Sequence, residues 1–402
     1  MMECTARITP DLLWVGGNDR RLNLFENIFP IPRGVSYNSY LLLDEKTVLV
    51  DTVDKAISGV FFDNLTAALD GRQLNYIVVN HMEPDHAATL AETVLRYPEA
   101  KIVCNAKTVP MIKQFFSFDI DSRAVIVKEG DTLEIGGHTY AFVMAPMVHW
   151  PEVMVTFDAT DGILFSADAF GTFGAVSGSI MAKDIDFKGR YLDEARRYYT
   201  NIVGKYGPQV LAVLKKAAAL DIKMICPLHG WVLTGDVIGW FVDKYTAWAS
   251  YQPEEKGVLI AYGSIYGGTE NAAEILAGML ADRGICNIAV YDVSATHPSY
   301  LVSEAFKYSH LVFASATYNC GIFTPMENLL LDLKAHSMQN RTVALVQNGS
   351  WSPMSGKLMQ EIVGSFKNTA LLEPVATLRS TVSDKTREEL SALADAIQAS
   401  ME

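Results

Sequence analysis

The sequence predicts an α/β protein in two parts, a layered α/β sandwich followed by a doubly wound parallel sheet. Three observations carry this. Over residues 1–250, short β-rich runs come in groups with helical stretches between them. From residue 256 onward, short apolar strands alternate one by one with helical segments, the pattern of a parallel sheet with crossover helices. Between the two, Gln252-Pro253-Glu254-Glu255-Lys256-Gly257 is polar and aperiodic, as a linker is.

In the first part, Asn38–Leu43 and Thr47–Asp51 flank the polar turn Asp44-Glu45-Lys46 and predict a hairpin. Strands are expected at Tyr76–Asn80, Ala124–Val127, Thr139–Met144 and Val153–Phe157, and helices at His86–Arg96 and Leu192–Val203. In the second part, strands are expected at Val258–Tyr262, Ile288–Val293, Leu311–Ala316, Val343–Val346 and Ala370–Leu378. Helices should follow, beginning near Thr269, Tyr300, Pro325, Met354 and Asp384. No internal repeat or low-complexity tract interrupts either rhythm.

Composition narrows the function. The chain has 402 residues, more than one ordinary core holds, and 50% of them are hydrophobic, so it folds without staples. A net charge of −13 argues against a nucleic-acid surface, which needs clustered Lys and Arg. The five cysteines, Cys4, Cys104, Cys226, Cys286 and Cys320, contain no C-x-x-C pair; they read as reduced thiols and not as disulfides, structural zinc or rubredoxin-type iron. Met1–Arg21 has no apolar h-region, and no apolar run reaches the length of a membrane span. A cytoplasmic protein is expected.

The most informative stretch is Asn80-His81-Met82-Glu83-Pro84-Asp85-His86, four potential metal ligands on one strand-to-helix loop. Glu83 would point away from its neighbours in an extended chain, so the loop must fold to gather the side chains. Further donors end apolar segments: His149 in Met147-Val148-His149-Trp150-Pro151, Asp168 after Ile163-Leu164-Phe165, and His229 in Cys226-Pro227-Leu228-His229-Gly230. Singly, each has a blander reading: a lone histidine is usually a satisfied core or surface residue, and Asp after a strand is often an N-cap. Together they make four imidazoles and three carboxylates without a thiolate. That set suits iron or manganese better than an all-histidine zinc set does.

A second cluster follows the strand Val258–Tyr262. Gly263-Ser264-Ile265-Tyr266-Gly267-Gly268-Thr269-Glu270-Asn271 is neither a Walker A loop nor G-x-G-x-x-G. Its glycines and the hydroxyls of Ser264 and Thr269 could receive a phosphate at a helix N-terminus without Lys or Arg. The next two strands end in Ala316-Thr317-Tyr318-Asn319-Cys320-Gly321 and Asn348-Gly349-Ser350-Trp351, which supply polar backbone and aromatics to cover a ring.

His-x-Glu-x-Asp-His, followed by single His, Asp and His, resembles the metallo-β-lactamase fold as flavodiiron proteins use it, an αββα sandwich. Hydrolytic members of that fold typically carry His where this chain has Glu83. The second part resembles flavodoxin, and its phosphate loop resembles the FMN site of flavodiiron proteins; Ser350 and Pro353 depart from the Gly-Trp-Ser-Gly pattern of many members. The resemblance spans nearly the whole chain and implies an oxidoreductase passing electrons from an external donor, such as rubredoxin or a reduced cofactor, through FMN to two irons that reduce O2 to water, NO to N2O, or both. It implies that His81, Glu83 and His149 hold one iron, that Asp85, His86 and His229 hold the other, and that Asp168 bridges them. It also implies FMN contacts from Ser264, Ile265, Tyr266, Gly267, Gly268, Thr269, Ala316, Thr317, Tyr318, Asn319, Gly321, Asn348, Gly349, Ser350 and Trp351. Head-to-tail homodimers, or dimers of these, are the usual family assembly.

Two other readings compete: a metal-dependent hydrolase of the metallo-β-lactamase fold with an accessory flavin domain, and a flavin electron carrier whose first domain is only a scaffold. Glu83 and the second domain count against the hydrolase, and the complete donor set counts against the carrier. Neither O2 nor NO is excluded by the seven donors. Selectivity belongs to residues lining the approach, with Trp150 and Asn23–Phe29 as candidate neighbours.

Overall fold

A computed structural model describes residues 4–401; the first three residues of the Met1–Arg21 stretch, and residue 402, lie outside them. Two compact units emerge. One takes the chain through Tyr199 and again over Tyr206–Thr246; the other takes Thr200–Lys205 and everything from Ala247.

Beside two small two-stranded sheets, Gly17–Asp19 with Val35–Tyr37 and Leu24–Phe25 with Phe29–Pro30, the first unit holds two large sheets whose strands follow chain order. One comprises β1 (Ala6–Arg7), β2 (Leu12–Trp14), β3 (Tyr40–Leu43), β4 (Thr47–Val50), β5 (Leu74–Val78), β6 (Lys101–Asn105) and β7 (Ala124–Val127). The other comprises β8 (Thr132–Glu134), β9 (Thr139–Met144), β10 (Met154–Asp158), β11 (Ile163–Phe165), β12 (Met224–Cys226) and β13 (Leu233–Thr234). The expected hairpin is β3–β4, antiparallel with Leu43 opposite Thr47. Its apolar residues other than Leu43, and those of β10 and β11, are buried, as the inner faces of a layered sandwich must be. Tyr40 ties one sheet to a loop of the other by donating its hydroxyl to the Pro227 carbonyl at 2.7 Å.

Two expected helices differ in detail. His86–Arg96 is two helices, Pro84–Ala87 and Leu90–Arg96, parted at Thr89, whose hydroxyl donates to the Val53 carbonyl instead of lying idle on a helix face. The later one starts earlier, at Phe187, where Asp186 caps the Gly189 N–H, and passes into a π-helical turn over Tyr199–Val203.

Within this unit His138 is clamped by two carboxylates. Its Nδ1 lies 2.7 Å from Asp158 Oδ2 and its Nε2 3.0 Å from Asp11 Oδ2. Burial opposes the charged ring, but Asp11 and Asp158 outweigh it and raise the pKa above its ordinary value. A raised folded pKa gives stability that is complete below the unfolded value near 6.5 and lost as pH rises through the folded value. His138→Gln should therefore cost about 1 kcal/mol near pH 5.5 and less at pH 9. Urea melts at the two pH values check it; an equal cost at both would contradict the clamp.

The second unit is a five-position parallel sheet. Its strands are β14 (Glu255–Gly263), β15 (Ile288–Asp292), β16 (Tyr308–Tyr318), β17 (Thr342–Asn348), β18 (Ala370–Leu371) and β19 (Ala376–Leu378), in the order β15-β14-β16-β17, with β18 and β19 both pairing β17. Strand β14 starts at Glu255 and absorbs the end of the stretch that reads as a linker. The expected strand Ala370–Leu378 is split in two around Pro374, which lacks the N–H a ladder needs. Helices start at Gly268, Pro298, Thr324, Ser355 and Asp384, close to the expected positions. One core joins Val258 and Ile260 of β14 to Val312 of β16, Val346 of β17 and the helical Leu276 and Leu393. Each such buried aliphatic contributes roughly 1.5–3 kcal/mol. Counted along the chain the strand order is 2-1-3-4-5, so the topological switch lies between β14 and β16. Among the described residues no helix is long and apolar enough to cross a membrane.

Candidate metal centre and flavin site

The loop after β5 is fixed before any ligand is considered. Asp51 accepts the N–H groups of Asn80 at 2.8 Å and His81 at 3.3 Å, and Glu152 accepts that of Met82 at 2.9 Å. Pro84 then opens a one-turn helix at the position where a missing N–H costs nothing. This turn reverses the chain at Glu83, so Glu83, Asp85 and His86 come to the same place as His81.

The seven candidate donors fall into two groups. Ligand atoms of His81, Glu83, His149 and Asp168 lie within 4.8 Å of one another, as do those of Asp85, His86 and His229. Asp168 faces both. Its Oδ2 is 3.2 Å from the Nε2 atoms of both His81 and His149, and its Oδ1 is 3.0 Å from His86 Nε2 and 3.6 Å from His229 Nε2. Glu83 Oε2 completes the first group at 3.3 Å from His81 and 2.9 Å from His149; Asp85 Oδ2 completes the second at 3.2 Å from His86 and 3.1 Å from His229. Asp168 reaches this point because Ala167 takes a left-handed turn, with φ 51°, directly after β11.

Several close approaches are not hydrogen bonds. Both carboxylate oxygens of Asp85, both ring nitrogens of His86, Oδ1 of Asp168 and Nε2 of His229 are buried without a hydrogen-bond partner among the described residues. Lone pairs that converge without bonding one another suit a cation placed between them. Titration agrees. Burial would keep His81 neutral, but Asp168, Glu152 and Glu83 raise its pKa well above normal, and His149 reaches about 9 against burial through Asp168 and Glu83. Burial would likewise raise Asp168, yet His86 and His81 hold it well below the usual carboxylate range. Protons on the imidazoles here balance the carboxylates, and divalent cations would displace them.

Three supporting groups were not legible as such in the sequence. Glu152 Oε1 lies 2.9 Å from His81 Nδ1 and turns Nε2 toward the cluster. The Ser36 carbonyl does the same for His229, at 2.8 Å from Nδ1. Asp51, with its carboxyl pushed up to about 6 by burial, anchors the loop. Glu152 follows His149 by only three residues, and that spacing could have suggested a partner acid; a backbone carbonyl leaves no signal. Among the expected neighbours, Trp150 packs edge-on against His81 with centroids 5.4 Å apart, and Phe25 against His229 at 5.3 Å. Tyr198 adds a further wall 5.4 Å from His229, its buried hydroxyl without a partner among the described residues.

In the second unit, Ser264-Ile265-Tyr266-Gly267-Gly268-Thr269 follows β14, Ala316–Gly321 closes β16, and Asn348-Gly349-Ser350-Trp351 follows β17. These are the carboxyl ends of three adjacent parallel strands, beside the switch point. Ser264 Oγ accepts the Gly267 N–H at 3.1 Å, and Gly267 has φ 85°. Asn348 Nδ2 donates to Thr269 Oγ1 and to the Ser380 carbonyl, both at 3.2 Å; Thr317 Oγ1 accepts the Met354 N–H at 3.0 Å. Ala316 is buried, while Asn319, with φ 49°, and Gly321 form the turn that folds the chain back on β16. Ser350 meets Ser380, oxygen to oxygen, at 2.7 Å. Of ten large hydrophobic side chains exposed among the described residues, four are in these loops: Ile265, Tyr266, Tyr318 and Trp351. Apolar groups left in water around a polar, glycine-lined cradle suit a flat ring with a phosphate tail.

Comparison with known proteins agrees with this geometry. The family described as ODP family beta lactamase matches residues 35–230. The nitric oxide reductase of Moorella thermoacetica is 30% identical over 381 residues, covering 94% of each chain. The rubredoxin-oxygen oxidoreductase of Megalodesulfovibrio gigas is 31% identical, covering 86% of each. A solved mutant of a flavo di-iron protein from Thermotoga maritima matches with TM-score 0.91 and 26% identity, covering 100% of this chain and 99% of that one. With its αββα first unit, its flavodoxin-like second unit and its two clusters of donors, the chain belongs to the flavodiiron family, oxidoreductases that work with FMN and a di-iron site.

Proposed function

We propose that this chain reduces O2 to water and NO to N2O with electrons from an external rubredoxin-type protein or a reduced cofactor, at irons held by His81, Glu83, Asp85, His86, His149, Asp168 and His229. The observation that carries the reading is Asp168, whose two oxygens face two separate three-residue groups. His81, Glu83 and His149 would hold one iron and Asp85, His86 and His229 the other, with Asp168 between them. FMN would lie over the three strand-end loops, its phosphate at Ser264–Thr269 and its ring near Ala316–Gly321 and Asn348–Trp351.

When bound, the flavin would supply single-electron relay and the iron pair would supply a place to bind and reduce the gas. The protein's own groups set the conditions. Glu152 and the Ser36 carbonyl hold His81 and His229 in the tautomer that presents Nε2. Phe25, Trp150 and Tyr198 pack their rings against His229 and His81 and give the cluster an aromatic wall. The hydrolase alternative calls for a histidine at the position where this chain carries Glu83. The names of the relatives support a redox reading, because they are reductases of O2 or NO. A head-to-tail homodimer and a cytoplasmic location complete the proposal; five free cysteines without a disulfide support the latter.

O2 is the gas we favour, with NO reduced at the same site. Consumption of each gas should be measured with one enzyme preparation and one chemically reduced donor. We expect O2 uptake at least equal to NO uptake. Rapid NO consumption with negligible O2 uptake would reverse the preference, and loss of both in iron-replete protein would refute the function.

A further inference from the structure

We infer that Arg20, Arg33 and Arg190 form a binding site for a phosphate-class anion, the pyrophosphate end of a small nucleotide or inorganic pyrophosphate itself, separate from the di-iron and flavin sites. The three side chains line one open hollow of about 660 Å³ in the first unit, together with Ser177, Tyr191 and Asp193. That size lies within the range of small-ligand pockets.

The hollow has a built floor. The segment at residues 33–35 is stitched to 174–175 by the Gly174 N–H donating to the Gly34 carbonyl at 3.1 Å and the Ala175 N–H to the Arg33 carbonyl at 3.0 Å. Asn18 Oδ1 accepts the Val176 N–H at 2.7 Å. On this floor two of the guanidiniums, those of Arg20 and Arg33, are positioned by uncharged acceptors. Arg20 Nη2 donates to the Val176 carbonyl at 2.7 Å and to Ser177 Oγ at 3.2 Å, and Arg33 Nη1 donates to the Arg190 carbonyl at 3.1 Å. Each bond uses only part of a five-donor fork, so donors remain for a ligand. Arg33 also lies over the Tyr191 ring, 5.8 Å from its centroid, and Tyr191 rests on Trp231 at 4.0 Å.

Charge supplies the rest. None of the three arginines makes an ion pair among the described residues, although the chain carries a net charge of −13. The acid in the lining, Asp193, is engaged with Arg196 at 2.9 Å. Asp186, beside the rim, caps the Gly189 N–H at 3.0 Å. Three like charges held around one hollow repel each other, and an anion accepting forked hydrogen bonds from them removes that cost. A pyrophosphate brings more negative charge and more acceptor oxygens to such a hollow than a single carboxylate does.

Calorimetric titration of the holoprotein with inorganic pyrophosphate at low salt tests this, with ADP as a second titrant. Saturable one-to-one binding is expected, weakened roughly tenfold or more by either Arg20→Ala or Arg190→Ala and abolished in the double variant, with the ligand-free melting temperature unchanged. Arg190→Lys, which keeps the charge and loses the fork, should fall between. Tighter binding of ADP than of pyrophosphate would identify a nucleotide, and equal binding the phosphates alone; either supports the site. Absence of saturable binding, or binding that survives the double variant, overturns it. So does failure to bind pyrophosphate combined with slower electron transfer from an acidic donor protein in the same variants, because the patch would then be a protein-docking face.

Discussion

Replacing Glu83 with His is expected to lower iron retention roughly a hundredfold and to abolish gas reduction while the flavin absorption stays as in the parent. Glu83 Oε2 lies 2.9 Å from His149 Nε2 and 3.3 Å from His81 Nε2, so it is the carboxylate of the first group. His149 and His81 hold it well below the usual carboxylate range against the opposing effect of burial, a measure of how strongly that spot favours a negative charge. An imidazole there removes one of three carboxylates and leaves more neutral nitrogen around the cations. Such a set retains zinc more readily than iron. Metal analysis of the purified variant, its visible spectrum and its O2 and NO consumption are the readouts. Unchanged reduction of both gases would sink the assignment of Glu83.

Gly268→Ala should have the mirror effect: flavin content falls roughly tenfold or more while iron content is kept. A Cβ on Gly268 would lie 2.0 Å from the Ser380 carbonyl oxygen and 3.2 Å from Asn348 Nδ2. The first distance is impossible, and the obstacle is backbone, so the loop must move. Moving it breaks the Asn348 bonds to Thr269 and Ser380 that draw the first and third of the proposed flavin loops together. Gly278, in the same helix with open space around its Cβ position, provides a control that should keep its flavin as Ala. Equal flavin content in the Gly268 and Gly278 variants would show that the loop is not the phosphate cradle.

The sequence conveyed the donors better than their supports. His81, Glu83, Asp85 and His86 sit on one short loop, and a loop between a strand and a helix can gather them only in a few ways. His149, Asp168 and His229 each end an apolar run, so sheet formation brings them to one rim. Glu152 and the Ser36 carbonyl act on His81 and His229 across sequence distances of 71 and 193 residues, which no local pattern encodes. The alternation of strands and helices after residue 255 was legible, whereas the order 2-1-3-4-5 depends on long-range pairing and was not. The break at Thr89 depends on a hydroxyl finding the Val53 carbonyl, and the periodicity of His86–Arg96 cannot reveal it. Arg20, Arg33 and Arg190 are scattered along the chain and meet only through the floor at 174–176.

The central claim is that one chain unites a redox-active pair of irons with FMN. Metal analysis by mass spectrometry, combined with acid release and chromatography of the flavin from the same purified holoprotein, tests it most directly. The account predicts iron near two per chain, FMN near one per chain, and little zinc. Zinc in place of iron, or FAD or no flavin after expression with excess riboflavin, would contradict it.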